Sequence, residues 1–215
     1  MKELESNNNK ASVGERSEPG PGNPVMANLR GIADRAEMDR LETEELRRVT
    51  EQFLGETGPE RRFTTADIRR MHREWLGGIY PWAGEYRQAP MNRERVRFAS
   101  PAQIPGLMQE LEDMVLQRYM PCAGSPEQVA TALAIVHAEL VLIHPFPDGN
   151  IRVAQLLGTL MGKQAGMPPL DFSITSGENW ENYLDALWAG IGRDYEPITG
   201  IFREIVRRSS TLTKE

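Results

Sequence analysis

A chain of 215 residues with 40% hydrophobic content is long enough to bury one well-filled core, and its single cysteine, Cys122, excludes an internal disulfide framework or a zinc-finger spacing. With 31 acidic residues against 25 basic ones the net charge is -6, the wrong balance for binding nucleic acid through the overall field, so no nucleic-acid partner is expected. No run reaches the length of a membrane span and MKELESNNNK has no apolar core, so neither a membrane anchor nor a signal peptide is expected, and cysteine usage suits a cytoplasmic setting.

Residues 1–27, with SNNNKASVGERSEPGPGNP, hold almost nothing apolar to offset the entropy of ordering and read as a disordered leader. From 28 to 208 the pattern is helical almost throughout, with 209–215 a C-terminal tail. In DRAEMDRLETEELRRVTEQFL, Met38, Leu41, Glu45, Leu46, Val49 and Phe53 trace one face at helical spacing. In FTTADIRRMHREWLGG, Thr64 and Asp67 form a capping-box pattern, Ile68, Met71 and Trp75 line one side, and Gly77 and Gly78 stop the helix; His72 beside that side reads as a core-edge histidine. Residues 79–99 lose the helical period and read as a loop or short hairpin containing Val96 and Phe98, with Arg87, Arg93, Arg95 and Arg97 as a solvated surface or, alternatively, an attractor for an anionic ligand.

Two further helix starts are marked by Ser100, Pro101, Gln103 and by Ser125, Pro126, Gln128, each a serine cap, a proline at the first helical position and a glutamine three after the cap. The second carries Val129, Leu133, Val136, Leu140 and Ile143 and is the expected central helix, with His137 a core residue. VAQLLGTLMGKQAG, ENWENYLDALWAGI and PITGIFREIVRR complete the set. The sum is about seven helices with one irregular excursion, an all-α single domain.

Between the two most apolar helices lies HPFPDGNIRVAQ, His144 to Gln155. Pro145 and Pro147 cannot continue the first helix and Gly149 permits backbone forms closed to other residues, so the link reads as a rigid turn that starts the next helix with Asp148 or Asn150 as cap. The amides of residues 149–152 then point outward at the positive end of a helix dipole, an anion site by construction. Arg152 sits where the dipole disfavours a cation, a placement that suggests use rather than stability. Asp148 beside phosphate oxygens calls for a mediating cation, and magnesium is the natural one. A histidine, titrating near neutrality, suits His144 to take a proton from an attacking hydroxyl, and Phe146 reads as a core anchor.

These residues resemble the signature of the Fic (Fido) family, H-P-F-x-[DE]-G-N-G-R-x-x-R, at His144, Pro145, Phe146, Asp148, Gly149, Asn150 and Arg152. IYPWAGEYR resembles the segment before the family's flap, RVRFASPAQI the stretch that closes it, and NLRGIADRAEMDRLE its first helix, so the resemblance covers roughly residues 28 to 208. It implies an all-α Fic fold with a short β-hairpin flap, and transfer of AMP from ATP to a Ser, Thr or Tyr hydroxyl of a target protein. His144 would be the catalytic base and Asp148 would hold Mg2+. Phe146, Gly149, Asn150, Ile151, Arg152 and Gln155 would line the ATP site, with Arg152 on the distal phosphates. The flap, Gln88 to Arg97, would align the target by strand-like pairing, with Val96 and Phe98 in that strand.

Ile151 replaces the signature's second glycine and Gln155 its second arginine. The expectation is that the stiff Ile151 side chain resists a positive φ and intrudes on a phosphate, and that Gln155 removes a bidentate phosphate partner. The Doc toxin branch, which phosphorylates its target, similarly lacks both residues. AMP transfer therefore ranks first, a degenerate binding-only member second and a Doc-like kinase third. Thr211 and Glu215 have the spacing of the family's inhibitory helix, but Gln155 cannot form the ion pair that helix requires. An antitoxin or other regulator is left unidentified, and exposed helices permit a homodimer without specifying one.

Overall fold

The helix starts close as hydrogen bonds in a computed structural model of the chain, which describes residues 25–93 and 96–212. Helix α1 (Arg35–Glu56) is capped by Asp34, whose carboxylate accepts from the Glu37 amide at 2.7 Å. Helix α2 (Thr65–Leu76) begins with the Thr64–Asp67 box, the Thr64 amide donating to Asp67 at 2.9 Å and the Asp67 amide donating back at 3.2 Å. At the third start Gln103 accepts from both the amide and hydroxyl of Ser100. Each box satisfies amides that a helix N-terminus leaves without intrahelical partners.

The flap is smaller than a strand-length reading of residues 79–99 suggests: β1 (Asn92–Arg93) pairs antiparallel with β2 (Val96–Arg97), Asn92 opposite Arg97 and Arg93 opposite Val96. Phe98 is not part of the strand; it lies just beyond β2 and is buried. A 3-10 turn, Pro101–Gln103, leads into α3 (Ile104–Glu110), which continues through a π-helical stretch, Leu111–Leu116, into the single turn α4 (Gln117–Tyr119).

Helix α5 (Pro126–Ile143) starts from the Ser125–Gln128 box and packs chiefly against α8 (Glu196–Leu212) and α6 (Asn150–Gln164). Val129, Leu133, Val136 and Leu140 are buried, and Ala130, Ala134 and Ala138 are fully buried, which lets neighbouring helices approach closely. Contrary to the expectation that no run reaches that length, α5 is long and apolar enough to cross a membrane, and most of it is buried as the central helix of the core. α7 (Trp180–Ala189) closes one side, so the described residues form seven helical rods when α3 and α4 count as one. The last helix runs to Leu212, into the segment expected to be a tail. Most of the expected leader, and the Glu215 end of the Thr211 to Glu215 spacing, lie outside the described residues.

His137, on α5, is buried as expected, its Nε2 2.7 Å from the Tyr183 hydroxyl of α7 and its ring 5.1 Å from that of Phe202 on α8. Burial pulls its pKa down from the ordinary 6.5 to about 4. The folded state therefore refuses a proton that the unfolded chain accepts. This contribution to stability is complete above pH 6.5 and is lost as pH falls toward 4. Chemical denaturation at several pH values should show wild type losing about 1.4 kcal/mol per pH unit more than His137→Gln across that window.

Candidate active site

His144 ends α5 in a left-handed conformation, φ 51 and ψ 60, that a non-glycine residue adopts only at a cost. The Pro145 ring closes the right-handed helical region to it, and three bonds over-determine the result. The His144 amide donates to Leu140 O at 3.2 Å, Arg87 Nε donates to His144 O at 2.7 Å, and the Arg87 amide donates to Pro145 O at 2.8 Å. Arg87 also donates to Ala89 O and Ala99 O, at 3.1 and 2.6 Å, tying both feet of the flap to the loop. It is 2% exposed, which corrects its reading as a solvated arginine; burial draws its pKa down. The carbonyls that compensate this burial come together only in the folded chain.

The His144 ring is buried and stacks on Phe98, centroids 4.1 Å apart. Its Nδ1 lies 3.2 Å from Val141 O. A carbonyl only accepts, so Nδ1 carries the proton in the neutral ring and Nε2 is the basic nitrogen.

Phe146 is fully buried and stacks face to face on His72 at 3.9 Å, which makes it the anchor expected of it. Asn150 closes the reversal: its Oδ1 accepts from the Phe146 amide at 2.9 Å and its Nδ2 donates to Phe146 O at 3.0 Å. Its side chain thus braces the loop rather than facing a ligand. His72 accepts from the Gly84 amide at Nδ1, 2.8 Å, and donates from Nε2 to Asp148 O at 3.0 Å. Accepting at Nδ1 requires a neutral ring, and burial holds its pKa near 4.

Gly149, not Asp148 or Asn150, is the N-cap of α6. Its φ is +79, and a Cβ there would lie 2.7 Å from Trp75 Cζ3, so both conformation and packing demand glycine. Its amide donates to Asp148 Oδ1 at 2.6 Å, which removes it from the expected nest. The outward amides are then those of Asn150, Ile151 and Arg152, at a helix start with no capping side chain and no acid in its first turn. Burial raises the Asp148 carboxyl pKa, while the Gly149 amide and Arg152 draw it down.

Ile151 corrects another expectation. It lies within α6, 5% exposed and part of the core, and the positive φ of the turn falls on Gly149. The isoleucine does not intrude on the amide face. Arg152 projects the other way, over the Trp75 ring at 5.4 Å, with its NH1 2.9 Å from Glu42 Oε2 of α1. Gln155, one turn on, donates to Thr175 Oγ1 at 3.1 Å.

Residues 62–161, which include the buried His144, the uncapped start of α6 and Arg152, match the model of the Fic/DOC family. Over that stretch the chain is similar to the Fic/DOC family. It is 26% identical over 187 residues to the probable protein adenylyltransferase y4lH of Sinorhizobium fredii, covering 86% of this chain and 93% of that one. It is 25% identical over 146 residues to the protein adenylyltransferase VbhT of Bartonella schoenbuchensis, covering 68% of this chain but only 30% of VbhT. Among solved structures, BepC of Bartonella tribocorum with bound AMPPNP superimposes with a TM-score of 0.70 at 24% identity, covering 89% of this chain and 96% of that one.

The loop carries His144, Asp148, Gly149 and Arg152, while Phe146, Asn150 and Ile151 support it from the core side. Sequence reasoning missed Arg87 and Glu42; a charge in a loop or on an otherwise charged helix face carries no sequence signal that it will be buried. Gly149→Ala should lower stability by roughly 2 to 4 kcal/mol, from left-handed backbone strain and the clash with Trp75, read as a shifted urea midpoint.

Proposed function

We propose that this protein transfers AMP from ATP to a Ser, Thr or Tyr hydroxyl of a target protein. The observation that carries this is His144: its Nδ1 proton is held by Val141 O, and it stands one tight turn from the uncapped start of α6. The adenylyltransferase names of y4lH and VbhT support the same reaction. His144 Nε2 would take the proton of the target hydroxyl as its oxygen attacks the α-phosphorus. The bond from that phosphorus to the bridging oxygen then breaks and pyrophosphate leaves. The amides of Asn150, Ile151 and Arg152 and the Arg152 guanidinium would meet the developing charge.

Magnesium fits only in company. No group of three His, Cys, Asp or Glu side chains able to hold a metal occurs among the described residues. Asp148, beside the uncapped start of α6, would supply a carboxylate to a magnesium ion shared with phosphates and waters. When bound, the ion would neutralise phosphate charge there. The target would dock at the flap, Gln88 to Arg97, whose far foot is pinned by Arg87 and whose Phe98 packs on His144. An ATP donor suits a cytoplasmic setting.

Incubation with a lysate and ATP labelled on the α or the γ phosphate tests the reading. Label retained from the α position alone is expected, falling about 100-fold or more in His144→Ala. Retention from γ alone would make the protein a kinase, and no label from either would leave a binding module.

The packing of Ile151 changes what restoring the signature should do. Gln155→Arg alone should tighten magnesium-ATP binding about tenfold, the effect of one charge-assisted phosphate contact. Ile151→Gly should bring no gain in affinity and cost roughly 2 to 5 kcal/mol of stability by emptying a core position. Calorimetric titration of each variant separates the two, and an affinity gain confined to Ile151→Gly would reverse the assignment.

A further inference from the structure

Glu42 is a buried acid on a helix whose other acids mostly face solvent, and each of its carboxylate oxygens has its own partner. Oε1 accepts from the Tyr80 hydroxyl at 2.7 Å and Oε2 from Arg152 NH1 at 2.9 Å. Its side chain is 6% exposed, against 28% for that of Arg152. The backbone beneath is fixed as well, because Trp75 Nε1 donates to Glu42 O at 2.8 Å. Tyr80 is in turn held by stacking on Trp82, centroids 4.6 Å apart. The Glu42 end of the Arg152–Glu42 pair is thus anchored at two points, by Tyr80 and Trp75, while the more exposed Arg152 end has no such anchor on its own helix among the described residues.

Arg152 needs such an anchor. In the first turn of α6 it faces the positive end of the helix dipole, and a long, half-solvated side chain there is driven outward. We propose that Glu42 is a positioning residue that sets the Arg152 guanidinium at the phosphate side of the loop, with Trp75 as the floor beneath it. One donor of the guanidinium fork goes to Glu42, and the planar group is thereby oriented for the others to meet a phosphate. The inference rests on the nucleotide reading above for what Arg152 then binds.

The sign of the effect is diagnostic. By its field alone a carboxylate beside an anion site repels phosphate, so removing the charge should tighten binding. Positioning demands the reverse. Calorimetric titration of magnesium-ATP into wild type, Glu42→Gln, Arg152→Ala and the double variant should show Glu42→Gln binding about tenfold more weakly, and no further loss when Arg152 is already absent. Nitrogen-15 spectra of the ligand-free protein should show resolved Arg152 guanidinium nitrogens in wild type and averaged ones in Glu42→Gln. Unchanged or tighter binding, an equal loss in both backgrounds, or an unaltered guanidinium spectrum would overturn the proposal. Tyr80→Phe, which keeps the ring on Trp82 and removes only the hydroxyl on Oε1, should weaken binding in the same direction if Glu42→Gln fails to fold. Were wild type not to bind magnesium-ATP at all, the nucleotide reading would fall, and the guanidinium spectra would still decide whether Glu42 orders Arg152.

Discussion

The paired hydrogen bonds between the Asn150 side-chain amide and the backbone of Phe146 set everything that surrounds them. A primary amide offers one acceptor and two donors on a short stem, so it can satisfy both an N–H and a C=O of a residue four positions earlier. That closes the link between α5 and α6 into a reversal too tight to slide. With it closed, His144 ends α5 and Gly149 takes the left-handed cap of α6, five residues further on. The reversal is buried, which strengthens each bond and makes each costly to lose.

Around this turn the molecule spends polar groups where apolar ones would pack more simply. His72 is kept neutral so that one ring nitrogen can accept from Gly84 and the other donate to Asp148 O. Arg87 keeps its charge in the interior by gathering carbonyls from the loop and from both feet of the flap. Trp75 gives its ring edge to Gly149, its face to Arg152 and its N–H to Glu42. Pre-flap segment, first two helices and loop are thereby one polar assembly, and the flap cannot move at its feet without disturbing the residue that sets the backbone of His144.

Much of this is legible in the chain. The serine and threonine boxes, the apolar stripe of α5 and the two helices flanking HPFPDGN read directly, because caps and periodicity are local properties of three to eighteen residues. The loop residues read as a set for the same reason: proline, glycine and a first-turn arginine have conformational and electrostatic consequences wherever they occur. What did not read were residues whose role is defined by a distant partner. Glu42 counts in sequence as one more acid on a charged face, Arg87 as one more loop arginine, and their partners lie 110 and 57 positions away. Ile151 was misjudged because the signature comparison places it in the loop, whereas helical geometry turns its side chain to the core one residue after the cap.

The sequence by itself determined the all-helical class, the place of the reversal, and the histidine, carboxylate and arginine it carries, since each follows from the dihedral limits and charges of consecutive residues. Only the tertiary structure decided which nitrogen of His144 is basic, which amides face outward, and that Arg152 is held by an acid from the first helix. Those are questions of which groups meet across the fold, and a buried charge or ring takes its orientation from the partners that burial leaves within reach.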